Sequence, residues 1–113
     1  KIVGVGSAVV NYQIGDRIFF AGELGRTGSN AEFEAVHEGL IAKAPTTLSD
    51  IEAAALPLTF LTAYEMLADK FGIQMTADSA HGKTLLIING AGGVGSIMIQ
   101  LAKWLGMTVI ATA

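Results

Sequence analysis

The sequence predicts an α/β fold, in which a β-rich first part leads through apolar helices to a strand–helix–strand unit. Three observations carry this. Thr84-Leu-Leu-Ile-Ile-Asn-Gly-Ala-Gly-Gly-Val-Gly95 runs from strand-type side chains straight into Gly90-x-Gly92-x-x-Gly95, and an amphipathic stretch follows at once. Residues 1–44 instead break into short apolar runs separated by glycine and polar turns. Between the two, Ser49-Asp50-Ile51-Glu52 has the spacing of a capping box, in which the Ser hydroxyl and the Glu carboxylate satisfy free N–H groups at a helix start.

The elements follow in order. Ile2–Gly6 and Ala8–Val10 read as strand-like runs flanking a small turn, and Asn11 to Asp16 as a polar turn. Arg17–Ala21 is a third run, and Gly22 to Asn30 a glycine-rich loop. Ala31-Glu-Phe-Glu-Ala-Val36 alternates as a half-buried strand does, which puts Glu32, Glu34 and Glu38 on a wet face. Leu40–Ala42 is a last short strand, closed by Pro45. Strands this short, joined by glycine turns, predict a small or partly open barrel. A first helix runs from the capping box to Pro57, and a second, largely apolar, from Leu58 to Phe71, ending at Gly72. Residues 74–83 are a polar linker. After the glycines, Val94, Ile97, Met98, Leu101, Ala102 and Leu105 form one apolar helical stripe with Gly106 as its cap. Met107–Ala113 reads as a second buried strand, parallel to the first.

Composition narrows the function classes. A chain of 113 residues has the length of one domain, and 51 % hydrophobic with 15 % charged is rich for that size. A net charge of −3, with Lys and Arg scattered, gives no footprint for nucleic acid. The absence of cysteine removes disulfides, cysteine-held zinc and thiolate chemistry, and fits a cytoplasmic protein. No apolar run approaches the ~18 residues that cross a bilayer, so no membrane partner is expected. The chain opens inside a strand-like run and closes inside a strand. One β-α-β unit cannot cover both faces of a parallel sheet. Together these predict a piece of a longer protein.

Each glycine of the turn has a physical task. Gly90 is expected to take the sharp turn at positive φ, and Gly92 to let a pyrophosphate approach the backbone. Gly95 is expected to let the helix pack on the strand it has just left. The first N–H groups of that helix, at the positive end of its dipole, would face the anion. No Lys-Ser or Lys-Thr follows, so the turn is not a nucleoside-triphosphate P-loop. On local pattern alone, a methyltransferase cofactor loop or glycines serving only packing remain open.

Five ordered motifs extend over the chain: Gly15-Asp16-Arg17, Gly28–Phe33, Ala53–Thr59, Leu61–Glu65 and Gly90–Gly95. In that order and spacing they resemble the medium-chain dehydrogenase/reductases, nearest to the quinone-oxidoreductase-like branch often labelled zinc-type alcohol dehydrogenase. The resemblance implies the latter part of a GroES-like β-barrel domain over 1–56. It further implies a bridging helix and linker over 57–83, and the opening β-α-β of a Rossmann fold over 84–113. It implies hydride transfer between NAD(P)H and a quinone, enone or carbonyl. Gly90, Gly92, Gly93, Val94 and Gly95 would hold the pyrophosphate, and Thr62 would lie near the nicotinamide. It also implies a homodimer acting on a small molecule.

Zinc-dependent relatives carry a cysteine ligand four residues before that threonine. Here the position is Leu58, which cannot bind metal, and the 22–30 loop has no four-cysteine cluster. Zinc is therefore not expected. The family tendency is NADPH, with NADH open. The ribose-reading residue falls ~20 residues past the glycines, at Ala113 or beyond it, and Ala113 offers no carboxylate. Two alternatives remain: a dinucleotide-binding protein without catalysis, as in lens crystallin relatives, and a zinc-dependent alcohol dehydrogenase. His37 and His81 are expected on the surface, Tyr64 in the core with its hydroxyl satisfied, and Trp104 at a packing or interface position. Thr62 read without the family would be a buried hydroxyl bonded to its own helix.

Overall fold

A computed structural model describes all residues, Lys1–Ala113, in two compact units, Lys1–Pro57 and Leu58–Ala113.

In the first unit, β1 (Ile18–Phe19) pairs antiparallel with β2 (Ala42–Lys43), Ile18 opposite Lys43 and Phe19 opposite Ala42. Of the small barrel expected over 1–44, this pair is the laddered part. Ile2 exchanges backbone hydrogen bonds with Gly15 and Asp16 without extending into a ladder, and 31–36 form no strand. Strand propensity forms a strand only where backbone hydrogen bonds complete a ladder, and these runs form none. Residues Glu38–Leu40 form a 3₁₀ turn, not the start of a strand. The wet face is corrected with it. Glu34 and Glu38 are half-buried, each with one carboxylate oxygen shut from solvent and unpartnered.

Polar contacts tie this unit together. The Arg17 guanidinium donates to the Pro45 carbonyl (2.6 Å), the Leu48 carbonyl (2.7 Å) and the Asp50 carboxylate (2.6 Å). The Tyr12 hydroxyl donates to the Ile41 carbonyl at 2.8 Å. The capping box forms as the sequence predicts. The Ser49 hydroxyl accepts the Glu52 N–H, the Glu52 carboxylate accepts the Ser49 N–H, and α1 (Asp50–Ala54) follows. Arg17 holds the Asp50 carboxyl below the ordinary carboxylate range, and the Ser49 hydrogen bonds do the same for Glu52.

The second unit holds the core. α2 (Pro57–Glu65) runs into a π turn over Met66–Lys70, marked by the Phe71 N–H donating to the Met66 carbonyl at 3.0 Å. The helical stretch thus ends near Phe71 as read, with its last turn widened and Gly72 closing it at φ +65°. β3 (Thr84–Ile87) and β4 (Thr108–Ala111) lie parallel, with Leu85 opposite Val109, and α3 (Gly93–Trp104) connects them. Leu85 and Ile87 turn inward onto α3. Leu67, Ile73, Ala80, Ala102, Leu105 and Met107 complete the buried cluster.

The expected stripe of α3 is met at Met98, Leu101, Ala102 and Leu105, with Gly95 and Ile99 joining it in place of Val94 and Ile97. Gly95 and Ala102 are buried and Met98, Ile99 and Leu101 pack on the core, whereas Ile97 stays outside it. Gly106 (φ +79°) caps α3 in a Schellman arrangement, its N–H donating to the Lys103 carbonyl and that of Met107 to the Ala102 carbonyl, both at 3.0 Å. The polar linker docks here as well: the N–H groups of Asp78 and Ala80 donate to the carbonyls of Trp104 and Leu105. No helix is long and apolar enough to cross a membrane.

Candidate functional site

The turn that joins β3 to α3 is built from its backbone. The left-handed residue is Asn89 (φ +59°), and Gly90 is not at positive φ. Asparagine is among the few side chains that tolerate this region. Gly90 is required for another reason: a Cβ there would lie 2.7 Å from the Ala111 Cβ and 3.2 Å from the Thr112 carbonyl oxygen. It is glycine because β4 passes against it.

Gly92 is the N-cap of α3, in extended geometry, and a Cβ on it would meet the Asn89 side-chain amide at 2.9 Å. A Cβ on Gly95 would fall 2.8 Å from the Gly90 Cα and closer still to the Asn89 carbonyl oxygen, so the helix seats on the strand end as expected. The Ser96 N–H donates to the Gly92 carbonyl at 2.9 Å and begins the helical ladder. No side chain caps the helix, and its first turn carries no acidic residue. The N–H groups of Gly93, Val94 and Gly95 are the orphan donors of that turn. With the positive end of the dipole, they can hold an anion.

The bridging helix reaches this turn. A Cβ on Gly93 would lie 3.1 Å from the Thr59 Cγ2, so α2 comes close to the first turn of α3 at a position where Gly93 leaves room. Thr62, three residues on, shares that face of α2. Its hydroxyl donates to the Leu58 carbonyl at 2.8 Å, as an ordinary helix hydroxyl does, yet Thr62 is exposed and not buried. A depression of about 440 Å³ opens beside the turn, lined by Met66, Phe71, Ile88, Gly92, Val94 and Met98. The residues present therefore fit a dinucleotide through the uncapped donors of the first helical turn and the apolar flank beside them.

The position four residues before Thr62 does not fit zinc, since Leu58 presents an exposed apolar side chain there. His37 is an exposed N-cap whose Nδ1 accepts the Gly39 N–H, and His81 is exposed in the linker. Tyr64 is 38 % exposed and stacks on Phe60 with ring centroids 6.0 Å apart, which corrects its expected place in the core. Trp104 is exposed on α3.

Three residues escaped the sequence reading: Asn89, Thr112 and Thr59. The Asn-Gly pair at 89–90 is a turn signal that could have marked Asn89. Thr112 and Thr59 act through contacts distant in sequence, which no local pattern shows.

No family model matches the chain. It is 53 % identical over 109 residues to a zinc-type alcohol dehydrogenase-like protein of Staphylococcus epidermidis, covering 96 % of this chain and 32 % of that protein. It is 44 % identical over 109 residues to a chloroplastic NADPH-dependent alkenal/one oxidoreductase of Arabidopsis thaliana, covering 90 % and 26 %. Among solved structures, an alcohol dehydrogenase superfamily protein from Novosphingobium aromaticivorans superposes with a TM-score of 0.85 at 39 % identity. The quinone oxidoreductase of Coxiella burnetii gives 0.83 at 37 %. The match covers 99 % and 98 % of this chain respectively, and 33 % of each structure. The chain thus spans about a third of the length of such relatives. Near-complete alignment of its own residues to these proteins, glycine turn and bridging helix included, makes the chain a member of the medium-chain dehydrogenase/reductase superfamily, alongside its zinc-type alcohol dehydrogenase-like proteins and quinone oxidoreductases.

Proposed function

We propose that the protein is an NADPH-dependent, zinc-independent oxidoreductase that reduces a quinone-like or enone substrate. The observation that carries this is the glycine cradle with uncapped donors at Gly93–Gly95, joined to α2 through Thr59. Residues 1–56 are then the latter part of a GroES-like domain, 57–83 the bridging helix and linker, and 84–113 the opening β-α-β of a Rossmann fold. The names of the alkenal/one and quinone oxidoreductase relatives support the substrate class, and the former supports NADPH. NADPH, when bound, supplies the hydride.

The chain's own residues do the rest. The first-turn N–H groups bind the pyrophosphate, Gly92 and Gly95 keep its approach and the helix seat clear, and the Val94 side chain flanks the depression. Thr62 stands one turn from Thr59, on the face that packs against the cradle. Leu58 keeps the position before it apolar, so polarisation of the substrate falls to hydrogen bonding and positioning, not to a metal. A homodimer in the cytoplasm is part of the same reading.

Steady-state oxidation of NADPH by the full-length protein, with quinones and enones and with a chelator present, tests it. Turnover unaffected by chelation is expected. Absence of turnover with every such substrate, together with alcohol oxidation restored by zinc, would overturn it. Tight NADPH binding without turnover would favour the non-catalytic reading instead.

A further inference from the structure

We propose that Asn89 and Thr112 are positioning residues that set the glycine turn for the cofactor. The proposal rests on the reading above. Thr112 lies just past the end of β4 and binds the end of β3 three times. Its N–H donates to the Ile87 carbonyl at 3.0 Å. Its carbonyl accepts the Gly90 N–H at 2.7 Å, and its hydroxyl accepts the Asn89 N–H at 3.0 Å. The first bond continues the parallel ladder. In that register the Thr112 carbonyl would take the Asn89 N–H, but it takes the Gly90 N–H, and the Thr112 hydroxyl takes the Asn89 N–H in its place, a side-chain clamp on the one residue of the turn held at left-handed φ.

That clamp fixes where the Asn89 carbonyl goes. It accepts the Gly92 N–H at 3.1 Å and sits where a Cβ of Gly95 would be, so it fills the seat under the new helix. The donors of Gly92 and Ser96 are thereby consumed inside the turn, by the Asn89 and Gly92 carbonyls, while those of Gly93, Val94 and Gly95 are left uncapped. Relaxation of Asn89 to an ordinary negative φ would swing residues 90–92 and lose this division. Left-handed geometry is costly for most L residues, tolerable for asparagine and free for glycine. The turn is therefore held by a tolerant residue and a hydroxyl together.

The apparent affinity for a cofactor scales with the fraction of molecules whose turn is competent. The test uses the full-length protein, with NADPH binding followed by fluorescence titration and kcat separated from KM with a quinone. Asn89→Gly is expected to bind NADPH within about threefold of the parent, because it keeps left-handed φ, and Asn89→Val about tenfold more weakly. Thr112→Val is expected to weaken binding about fivefold, with Thr112→Ser restoring it, since only the hydroxyl differs. In each weakened variant kcat at saturating NADPH and the melting temperature should stay near the parent values, which a general loss of structure would not allow. Equal weakening by Asn89→Gly and Asn89→Val would overturn the proposal, and so would parent-like binding by Thr112→Val. If Asn89→Val does not fold, the Thr112 pair decides. A parent protein that binds neither NADPH nor NADH would remove the cofactor reading itself and this inference with it.

Discussion

The two units differ in what holds them. In residues 58–113, Leu67, Ala102 and Leu105 are fully buried, and strands, helix and linker all lay apolar side chains on one another. In residues 1–57, Ala53 and Pro57 are the only buried residues, while Leu24, Phe33 and Val10 stand at 72 % exposure or more. Order there comes from polar clamps: Arg17 on two carbonyls and a carboxylate, Tyr12 on Ile41, Ser49 with Glu52. One unit is a small packed core with the glycine turn at its edge; the other is a set of short segments tied by hydrogen bonds. Core order should be sensitive to volume, clamp order to charge and donors.

The sharpest break of that contrast is at the cradle. Gly95→Val forces side-chain atoms into the Gly90 backbone, where nothing flexible can yield. The expected cost is roughly 3 kcal/mol of stability in urea unfolding of the full-length protein. NADPH binding should be lost with it. Unfolding at the parent urea concentration would mean that the helix does not seat on the strand end.

A second, comparable effect separates the units directly. Leu105→Ala empties a fully buried site and should cost about 3 kcal/mol. Leu24→Ala, at a side chain fully open to solvent, should stay within about 0.5 kcal/mol. Equal effects in urea denaturation would erase the distinction between a packed and a clamped unit.

The same distinction explains what the sequence could show. In the second unit, the run of strand-type side chains at Thr84–Ile88 and the 3.6 period of 94–105 were legible because each element packs against a neighbour close in the chain. The capping box at Ser49 and the caps at Gly72 and Gly106 were legible because capping is local. In the first unit, alternation over 31–36 misled. It records a tendency to pair, and no ladder forms there. At the candidate site the glycines were readable as a set but not one by one. The sequence assigned positive φ to Gly90, and the structure puts it on Asn89, because the crowding at Gly90 comes from Ala111 and Thr112, more than twenty residues away. Thr112 and Thr59 were invisible for the same reason.

The smallest expected effect is electrostatic and belongs to the clamped unit. Asp50 is held below the ordinary carboxylate range first by its hydrogen bond to Arg17 and then by that residue's charge. Glu52 is held down by the Ser49 backbone and side-chain hydrogen bonds. A carboxyl whose folded pKa is depressed stabilises the fold fully above its unfolded value, and that contribution is lost as pH falls through the folded value. The window therefore lies below about pH 4, and both side chains are exposed, so solvent screening keeps the effect small. Carboxyl-carbon NMR titration of the full-length protein should show both groups titrating low. In Arg17→Ala, Asp50 should return toward its ordinary value while Glu52 stays depressed, because separate donors hold the two. If both returned together, Arg17 would be ordering the whole 45–54 segment and not only its own ion pair. If neither moved, the contact of 2.6 Å between Arg17 and Asp50 would carry no weight in solution, and the first unit would need another source of order.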